Sequence, residues 1–338
     1  MLIEVVAVVT AVAFVFLLSR RAASSQTVCP RNKAVLITGC DTGFGHELAH
    51  FLHQLGFTVF AGCLNSEGEG AKKLQDVDSQ SVSSVGGVSE MSKGEARGRL
   101  HVIQLDITKE GQVIEAVQRL TNILSAESIA LWAVVNNAGI SIFGDVEFCG
   151  MKVYQRLADT NLWGTIRVCK AFLPLIRKAK GRIVNVTSIL GRQGSPGRSC
   201  YVATKYALEG FTQCLRYEMR RWGVQVIVVE PGNYIAATGI FTQEKIDKIA
   251  EELERDLPAE VRESYGEDFF QSRVQRMRHF TRIGDTDKQP VVDAMVAAVI
   301  DVNPQIRYEP KTLYWRIRTF VMCCLPQLVG DFFYHSDT

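Results

Sequence analysis

The stretch that decides the fold is Thr38-Gly39-Cys40-Asp41-Thr42-Gly43-Phe44-Gly45, which follows the apolar run Ala34–Thr38 and opens the helical pattern Gly45–Leu55. Glycines between a strand and a helix let the backbone turn tightly and approach a pyrophosphate, which then lies at the positive N-terminus of the helix. Glycine-rich turns also occur in ordinary loops, but the strand–turn–helix position is the context that the motif requires. We therefore predict a dinucleotide-binding turn here.

Beyond this turn, apolar strand-like runs alternate with helical patterns. The predicted strands are Phe57–Gly62, Leu100–Leu105, Leu131–Val135, Arg182–Val186 and Val224–Glu230, and the predicted helices include Gly111–Leu124 and Tyr201–Trp222. This alternation predicts an α/β fold, a single Rossmann-like doubly wound parallel sheet with helices on both faces. We assign it to residues 33–310, with a flexible loop rich in Ser, Gly and charge at 79–98 and substrate-covering helices at 241–280.

The N-terminal residues 1–24 differ in character from the rest, because Val5–Leu18 is almost wholly apolar and is followed by Arg20 and Arg21. We interpret them as a short membrane anchor whose basic flank keeps the catalytic domain in the cytoplasm, as in the endoplasmic reticulum. A signal peptide is less favoured because the charges follow the apolar run, and a mitochondrial presequence because Glu4 is acidic and no basic residue precedes Arg20. A mitochondrial location is the alternative.

The C-terminal tail, residues 311–338, mixes aromatic and aliphatic side chains with Arg316 and Arg318. This is the composition of a segment that lies in a membrane interface. The alternative is that the tail covers the pocket or a subunit interface.

Composition supports one large globular domain, since 47% of the 338 residues are apolar and 22% are charged. The net charge of +2 gives no support to nucleic-acid binding. The nine cysteines are dispersed and form no CxxC pair, as expected for free thiols in a reducing compartment.

A literal zinc motif, His46-Glu47-Leu48-Ala49-His50, continues the glycine-rich turn. On a helix this spacing places two imidazoles on one face. His53 and Gly56 stand in the reverse of the order that the extended metalloprotease pattern requires, and no third ligand is evident. We therefore predict no metal site.

The choice of dinucleotide depends on the charge near the ribose. An acidic residue is expected at the end of the second strand, but Cys63 stands there. Asp41, in the glycine turn itself, would repel a 2′-phosphate, and no Arg or Lys is at hand to bind one, so we predict NAD rather than NADP. Asp106, after the third strand, is placed to hydrogen-bond the adenine amine, to cap the next helix, or both.

A second group of residues, Ser188, Tyr201 and Lys205, has the composition of a catalytic site. Tyr201 and Lys205 are four residues apart and share one face of a helix. An ammonium favours the phenolate form of a nearby phenol, so Tyr201 is suited to exchanging the proton of an alcohol while hydride moves. Ser188 is suited to holding the substrate oxygen. Tyr-x-x-x-Lys alone is common by chance.

Taken in order, these motifs resemble those of the short-chain dehydrogenase/reductase family over roughly residues 33–310. The resemblance implies catalytic roles for Asn161, Ser188, Tyr201 and Lys205, with Asn161 holding a water that links Lys205 to solvent. Members of the family are usually dimers or tetramers, so it also implies a homo-oligomer. The residues expected to bind the cofactor are Thr38, Gly39, Asp41, Gly43, Phe44, Gly45, Cys63, Asp106, Ile107, Asn136, Ala138, Gly139, Tyr201, Lys205, Pro231, Gly232 and Ile235.

Within the family, the chain resembles the branch that holds D-3-hydroxybutyrate dehydrogenase, retinol dehydrogenases and membrane-bound hydroxysteroid dehydrogenases. Phe60–Leu64, Asn161–Thr165 and Pro231–Thr238 are most similar to the hydroxybutyrate enzymes. The resemblance implies a small-molecule alcohol or ketone substrate. A small hydroxy acid needs a cation for its carboxylate, and Arg192 and Arg198 are the candidates, unless both are solvated loop charges.

Two further functions stay open from the sequence. One is a membrane-associated dehydrogenase of a lipophilic alcohol, such as a steroid or retinol, which the apolar N-terminus favours. The other is a non-catalytic dinucleotide-binding scaffold, which the intact set Asn161, Ser188, Tyr201 and Lys205 disfavours.

Overall fold

The fold is built on a parallel sheet, seen in a computed structural model that describes residues 26–83, 98–326, 328, 330 and 331. Within these residues the sheet has seven strands in the order β3-β2-β1-β4-β5-β6-β7, and every neighbouring pair is parallel. The prediction of a Rossmann-like parallel sheet is confirmed. The strands are β1 Lys33–Thr38, β2 Thr58–Cys63, β3 Leu100–Gln104, β4 Ala130–Asn136, β5 Arg182–Val186, β6 Gln225–Val229 and β7 Arg307–Tyr308.

Helices cover both faces of the sheet. Side chains alternate between the faces along each strand: Val35 and Ile37 of β1 pack into one apolar cluster and Ala34 and Leu36 into the other. The α-helices of the described residues are α1 Gly43–Gln54, α2 Glu69–Ser83, α3 Glu110–Ala126, α4 Met151–Ala158, α5 Thr165–Ala179, α6 Ser199–Met219, α7 Gln243–Asp256, α8 Ala259–Tyr265, α9 Glu267–Phe280, α10 Gln289–Ile300 and α11 Leu313–Cys324.

A third apolar cluster lies outside the sheet and holds the predicted covering helices in place. Ile246 and Leu253 of α7 and Phe270 and Met277 of α9 pack in one cluster with Tyr201 of α6. Residues of α7 and α9, two helices called the lid below, also line the cavity at the carboxyl end of the sheet, where parallel α/β folds bind their ligands.

A buried arginine joins α10 to the sheet. The sequence analysis did not predict this role. Arg182, the first residue of β5, donates hydrogen bonds to the carbonyls of Ala298 and Val299 at 2.9 and 2.8 Å and to that of Asp301. These carbonyls end α10, where a helix carries partial negative charge. The guanidinium also lies over the Trp132 ring, 4.9 Å from its centroid.

Three sequence predictions about chain segments have different outcomes. Helix α2 continues through Ser83, so the first residues of the loop predicted at 79–98 are helical instead, and residues 84–97 lie outside the described residues. The anchor predicted at Val5–Leu18 also lies outside them. Among the described residues, no helix has both the length and the apolar character that a membrane span requires. The strand β7, only two residues long, was not predicted.

Candidate active site

The glycine-rich turn closes tightly between β1 and α1. Gly39 and Gly43 have φ angles of +72° and +68°, the left-handed region that favours glycine. A Cβ on Gly45 would lie 2.5 Å from the carbonyl oxygen of Gly39, and a Cβ on Gly39 would lie 2.8 Å from Cα of Ala138. The turn thus leaves backbone N–H groups at the start of α1 open to a ligand, the arrangement that fits a pyrophosphate.

Two side chains fasten this turn to the end of β4. The Thr38 hydroxyl accepts hydrogen bonds from the backbone N–H groups of Asn137 and Ala138 at 3.1 and 3.0 Å. The Asn137 amide donates to the carbonyls of Thr38 and Gly39, both at 3.0 Å. Thr38 therefore acts through the backbone of the turn. Asn137 was not among the predicted site residues, although its place between Asn136 and Ala138 at the end of a buried strand was a usable signal.

Asp41 supplies the acidic group that the sequence lacks at the end of β2. Its carboxylate accepts hydrogen bonds from the backbone N–H groups of Leu64 and Asn65 at 2.8 and 3.0 Å, and all three residues line the cavity described below. Cys63, predicted as a cofactor contact, is instead fully buried in the core, and burial raises the pKa of its thiol to about 12.

Five other predicted cofactor residues do not line the cavity, namely Thr38, Gly45, Asp106, Ile107 and Asn136. Asp106 accepts hydrogen bonds from the backbone N–H and hydroxyl of Thr108 at 2.9 and 2.7 Å within its own turn, whereas the N-cap of α3 is Lys109, so the prediction that Asp106 caps this helix is wrong. Ile107 is buried, and Asn136 donates to the side chain of Asn185 at 2.8 Å inside the sheet. The predicted residues Gly39, Asp41, Gly43, Phe44, Ala138, Gly139, Pro231, Gly232 and Ile235 do line it.

Ser188, Tyr201 and Lys205 meet at the carboxyl end of β5 and line the same cavity. Ser188 caps a short turn, its hydroxyl accepting the N–H of Leu190 at 3.2 Å. The Lys205 ammonium donates to the carbonyl of Val186 at 3.0 Å and lies 5.6 Å from the centroid of the Tyr201 ring. Two helix positions on α6 therefore put a cation beside a phenol, as the spacing predicted.

Asn161 lies behind this group in a π-helical turn, Asp159–Gly164, an irregularity that often marks functional sites. Its amide donates to the carbonyl of Ile140 at 2.9 Å, and its oxygen accepts the N–H of Ile140 at 2.9 Å. A Cβ on Gly139 would lie 3.3 Å from the Asn161 oxygen and 3.9 Å from the Lys205 ammonium. Asn161 does not line the cavity but lies directly behind Gly139, which does.

The cavity has a volume of about 840 Å³ and extends from the glycine turn to the lid. Its lining includes the apolar side chains Ile140, Phe143, Ile240, Met277 and Phe280 together with the charged side chains Asp145, Lys245, Arg273 and Arg276. Tyr314, Trp315 and Arg318 of α11 line it as well, so this part of the C-terminal tail covers the pocket.

The structure separates the two arginines that were candidates for a carboxylate. Arg192 does not line the cavity, and its guanidinium forms ion pairs with Glu230 and Glu309 at 3.4 and 3.3 Å. Lys311 belongs to the same group of ion pairs, since its ammonium lies 2.8 Å from the fully buried carboxylate of Glu230. Arg192 therefore neutralises acids near β7.

Arg198 does line the cavity. Its guanidinium donates to the Ser141 hydroxyl at 2.7 Å and lies 5.4 and 5.0 Å from the ring centroids of Tyr201 and Phe241. Its Nε is buried and has no hydrogen-bond acceptor among the described residues. Burial lowers the pKa of the guanidinium, and a poorly solvated cation with a spare donor is chemically suited to a carboxylate.

The H-E-L-A-H segment lies on α1, away from this group. Glu47 forms an ion pair with Lys288 at 2.7 Å, and His50 contacts the side chain of Gln54 at 2.9 Å. In the described part of the chain, His, Cys, Asp and Glu side chains form no cluster of three or more that is arranged for a metal ion.

The parallel sheet, the glycine turn and the large cavity at the carboxyl ends of the strands define a Rossmann-type dinucleotide-binding domain. Residues 33–248 match the profile of the short chain dehydrogenase family. The chain belongs to this family and is an oxidoreductase.

Known proteins similar to this chain include dehydrogenases of two kinds. The chain is 43% identical over 318 residues to the mitochondrial D-beta-hydroxybutyrate dehydrogenase of Mus musculus, covering 94% of this chain and 88% of that protein. It is 38% identical to estradiol 17-beta-dehydrogenase 2 of Mus musculus, covering 87% and 72% respectively. A short-chain dehydrogenase from Streptomyces avermitilis shares the fold, with a TM-score of 0.60 at 22% identity over 90% of this chain and 93% of that one.

Proposed function

We propose that this protein interconverts a 3-hydroxy acid of the 3-hydroxybutyrate type and its 3-oxo acid, using NAD. The observation that carries the proposal is Arg198, a cation in the cavity beside Tyr201 with a buried, unpaired donor. Burying such a donor is costly unless a ligand pairs with it. A substrate carboxylate would satisfy the charge and the donor together. The similarity to D-beta-hydroxybutyrate dehydrogenase supports the same choice.

The catalytic roles follow from the chemistry of the group around Tyr201. When bound, NAD would supply the hydride acceptor. Tyr201, in the phenolate form that the ammonium of Lys205 favours, takes the proton from the alcohol oxygen at its phenolic oxygen and becomes a neutral phenol. Ser188 donates its hydroxyl hydrogen to the substrate oxygen as that atom becomes a carbonyl. Asn161 has the role of holding a water that carries the proton from Lys205 to solvent.

The cofactor would be held by the glycine turn and the segments that face it. The backbone N–H groups from Gly43 to Gly45 would bind the pyrophosphate, and Ala138, Gly139 and Pro231–Ile235 would line the rest of the cofactor's path. Asp41, fixed by Leu64 and Asn65, would accept hydrogen bonds from the ribose hydroxyls. The same carboxylate repels a 2′-phosphate, which supports NAD over NADP.

A lipophilic secondary alcohol, such as a steroid, is the second candidate substrate. The apolar side chains of the cavity favour it, because Phe143, Met277 and Phe280 offer contacts to a hydrocarbon ring system. The similarity to estradiol 17-beta-dehydrogenase 2 points the same way.

The test is turnover of the purified full chain with NAD and a panel of alcohols. We expect D-3-hydroxybutyrate to be oxidised with a higher kcat/KM than its methyl ester, estradiol or retinol. A higher kcat/KM for estradiol or retinol would replace the proposal with the lipophilic-alcohol alternative. Absence of turnover on the whole panel would leave the scaffold function.

We further propose that the chain is anchored in the membrane of the endoplasmic reticulum with the catalytic domain in the cytoplasm, and that it forms a homo-oligomer. The apolar run Val5–Leu18 with Arg20 and Arg21 motivates the anchor. The full chain should resist carbonate extraction, whereas a chain beginning at Ser25 should not. Recovery of a shortened form inside mitochondria would overturn the anchor. For the homo-oligomer, sedimentation of the purified domain should give a mass above that of one chain, and a monomer would overturn this proposal.

A further inference from the structure

Six basic side chains lie together at the edge of the sheet where the strands begin, opposite the cavity. They belong to two turns, one that joins α5 to β5 and one that joins α6 to β6, and these strands are parallel neighbours. A Cβ on Gly223 would lie 3.7 Å from Cδ of Lys180, and the Arg177 guanidinium lies 4.6 Å from the centroid of the Trp222 ring. We call this surface the basic edge, and its cations are Arg177, Lys178, Lys180, Arg216, Arg220 and Arg221.

The charge of the basic edge is not neutralised by the domain itself. Four of its cations are exposed, namely Lys178, Lys180, Arg220 and Arg221. Among the residues that the structure describes, none of the six forms an ion pair with a carboxylate. The stretches 177–180 and 216–222 contain a single acid, Glu218. Since the net charge of the whole chain is only +2, positive charge is concentrated at this edge.

Two aromatic side chains stand among these cations. Tyr217 and Trp222 are 61% and 44% exposed. The guanidinium of Arg216 lies 5.0 Å from the centroid of the Tyr217 ring, and that of Arg221 lies 5.7 Å from that of Trp222. Tyr and Trp are enriched where a membrane meets water, and an anionic membrane surface attracts Lys and Arg. The basic edge therefore has the chemistry of a surface that contacts an anionic bilayer.

The chain that leads to the proposed membrane anchor leaves the domain close to the basic edge. Thr27 pairs with Asp301 in an isolated β-bridge. The carbonyl of Asp301 accepts a hydrogen bond from Arg182, the first residue of β5. Lys180 comes only two positions before Arg182. The start of the described chain is thus fixed at the same edge of the sheet as the six cations.

The connection between the anchor and the domain is short. Seven residues separate Leu18, the end of the proposed anchor, from Gln26, and seven residues span at most about 25 Å. A compact domain of about 300 residues has a radius of gyration of about 19 Å and is therefore roughly 50 Å wide. The connection is shorter than the domain, so the edge from which the chain emerges stays near the bilayer.

We propose that the basic edge rests on the anionic lipid surface of the membrane that holds the chain, with the cavity on the side that faces away from it. The proposal rests on the anchor proposed above. In this orientation the cavity takes its substrate from water. That suits a hydroxy acid, whereas a lipophilic alcohol dissolved in the bilayer must leave it to reach the site.

The experiment inserts the purified full chain into vesicles of phosphatidylcholine, with or without phosphatidylserine. A brief treatment with an amine-acylating reagent, read by peptide mass, gives the reaction rate of each lysine. Each cation near an anionic surface contributes on the order of fivefold to binding. Lys178 and Lys180 should therefore react at least about fivefold more slowly with phosphatidylserine present, and high salt should remove the difference. Lys109 and Lys152, exposed lysines that follow the ends of β3 and β4, should react equally in both vesicles.

A double variant tests whether the cations cause the protection. Arg220→Gln with Arg221→Gln should remove most of the difference between the two vesicles at Lys178. Cations at helix ends also stabilise the helix, but that role would lower the melting temperature without any dependence on lipid charge. The matched control is Lys109→Gln with Lys152→Gln, which removes two exposed cations from the opposite edge and should protect Lys178 like the wild type.

Equal rates at Lys178 and Lys180 in both vesicles would contradict the proposal and leave an acidic protein or a nucleic acid as the occupant of the basic edge. Slower reaction of Lys109 and Lys152 instead would mean that the cavity side contacts the membrane. Both results are read in the wild type and need no variant to fold. Flotation tests the anchor separately: a chain that does not float with phosphatidylcholine vesicles has no anchor, while the lysine rates with phosphatidylserine still test the basic edge.

Discussion

Replacing Arg198 with methionine tests the substrate assignment directly. Methionine keeps an unbranched apolar stem that can cover the Tyr201 and Phe241 rings, but it removes the charge and the donor to Ser141. A hydrogen bond to a charged group contributes about 1.5–3 kcal/mol. At about 1.4 kcal/mol per factor of ten, kcat/KM for D-3-hydroxybutyrate should fall roughly 10- to 150-fold.

A matched substrate separates this loss from general damage to the site. The methyl ester of 3-hydroxybutyrate keeps the reacting alcohol but carries no charge, so Arg198→Met should affect it little. The informative quantity is the ratio of kcat/KM for the acid to that for the ester, in which any displacement of Tyr201 cancels. Initial rates of NADH formation, followed by absorbance, give both values.

The control variant is Arg192→Met, which removes an arginine of the same loop that pairs with Glu230 and Glu309 outside the cavity. It should leave the acid-to-ester ratio unchanged even if it lowers stability. A ratio in Arg198→Met that stays within about twofold of the wild type would refute the reasoning, since a cation that contacts the carboxylate cannot be removed without changing it.

Three other predictions concern the cofactor turn and the proton carrier. Tyr201→Phe removes the phenolic oxygen and should lower kcat by at least about 100-fold while NADH binding, followed by fluorescence, is kept; near wild-type turnover would exclude the role. Asp41→Ser should raise kcat/KM for NADP relative to NAD, because it removes the charge opposite a 2′-phosphate; a wild type that already prefers NADP would contradict this. Gly45→Ala adds a Cβ 2.5 Å from a backbone carbonyl and from the Asn137 amide, so it should weaken NADH binding and lower the free energy of unfolding by about 1–3 kcal/mol. Gly210→Ala, which has open space around its Cβ, is its control and should melt no lower than the wild type.

The order of strands and helices was readable from the sequence because β1, β2 and β5 are buried on both faces along almost their whole length. Ala34–Ile37 is a continuous apolar run and Arg182–Val186 is a mostly apolar one, and the structure places strands over both. The strand β7 was not predicted, because a strand of two residues is too short to show an alternation of apolar and polar side chains. Its position depends instead on long-range contacts, such as the ion pair between Arg307 and Glu209 at 2.5 Å.

The site residues were predictable from the sequence where they lie on one helix or strand. They were less predictable where side chains from two separate elements must come together. Tyr201 and Lys205 share a helix, so their spacing alone brought them together. Asp41 is fixed by backbone groups of Leu64 and Asn65, more than twenty positions away in the chain, and no local pattern reports such a contact. The two arginine candidates, six positions apart, looked equivalent in the sequence, and only the fold turns Arg198 into the cavity.

The electrostatics of the cavity bear on which alcohol it selects. Its apolar side chains would accept a steroid or a small acid, since apolar contacts discriminate weakly between substrates that fit. Arg198 is different, because its buried donor stays unpaired when a neutral lipophilic alcohol binds and an unpaired buried donor costs about 1–3 kcal/mol. A carboxylate removes that penalty and gains a charged hydrogen bond. Selection for the acid therefore arises as much from rejection of the neutral ligand as from attraction to the charged one.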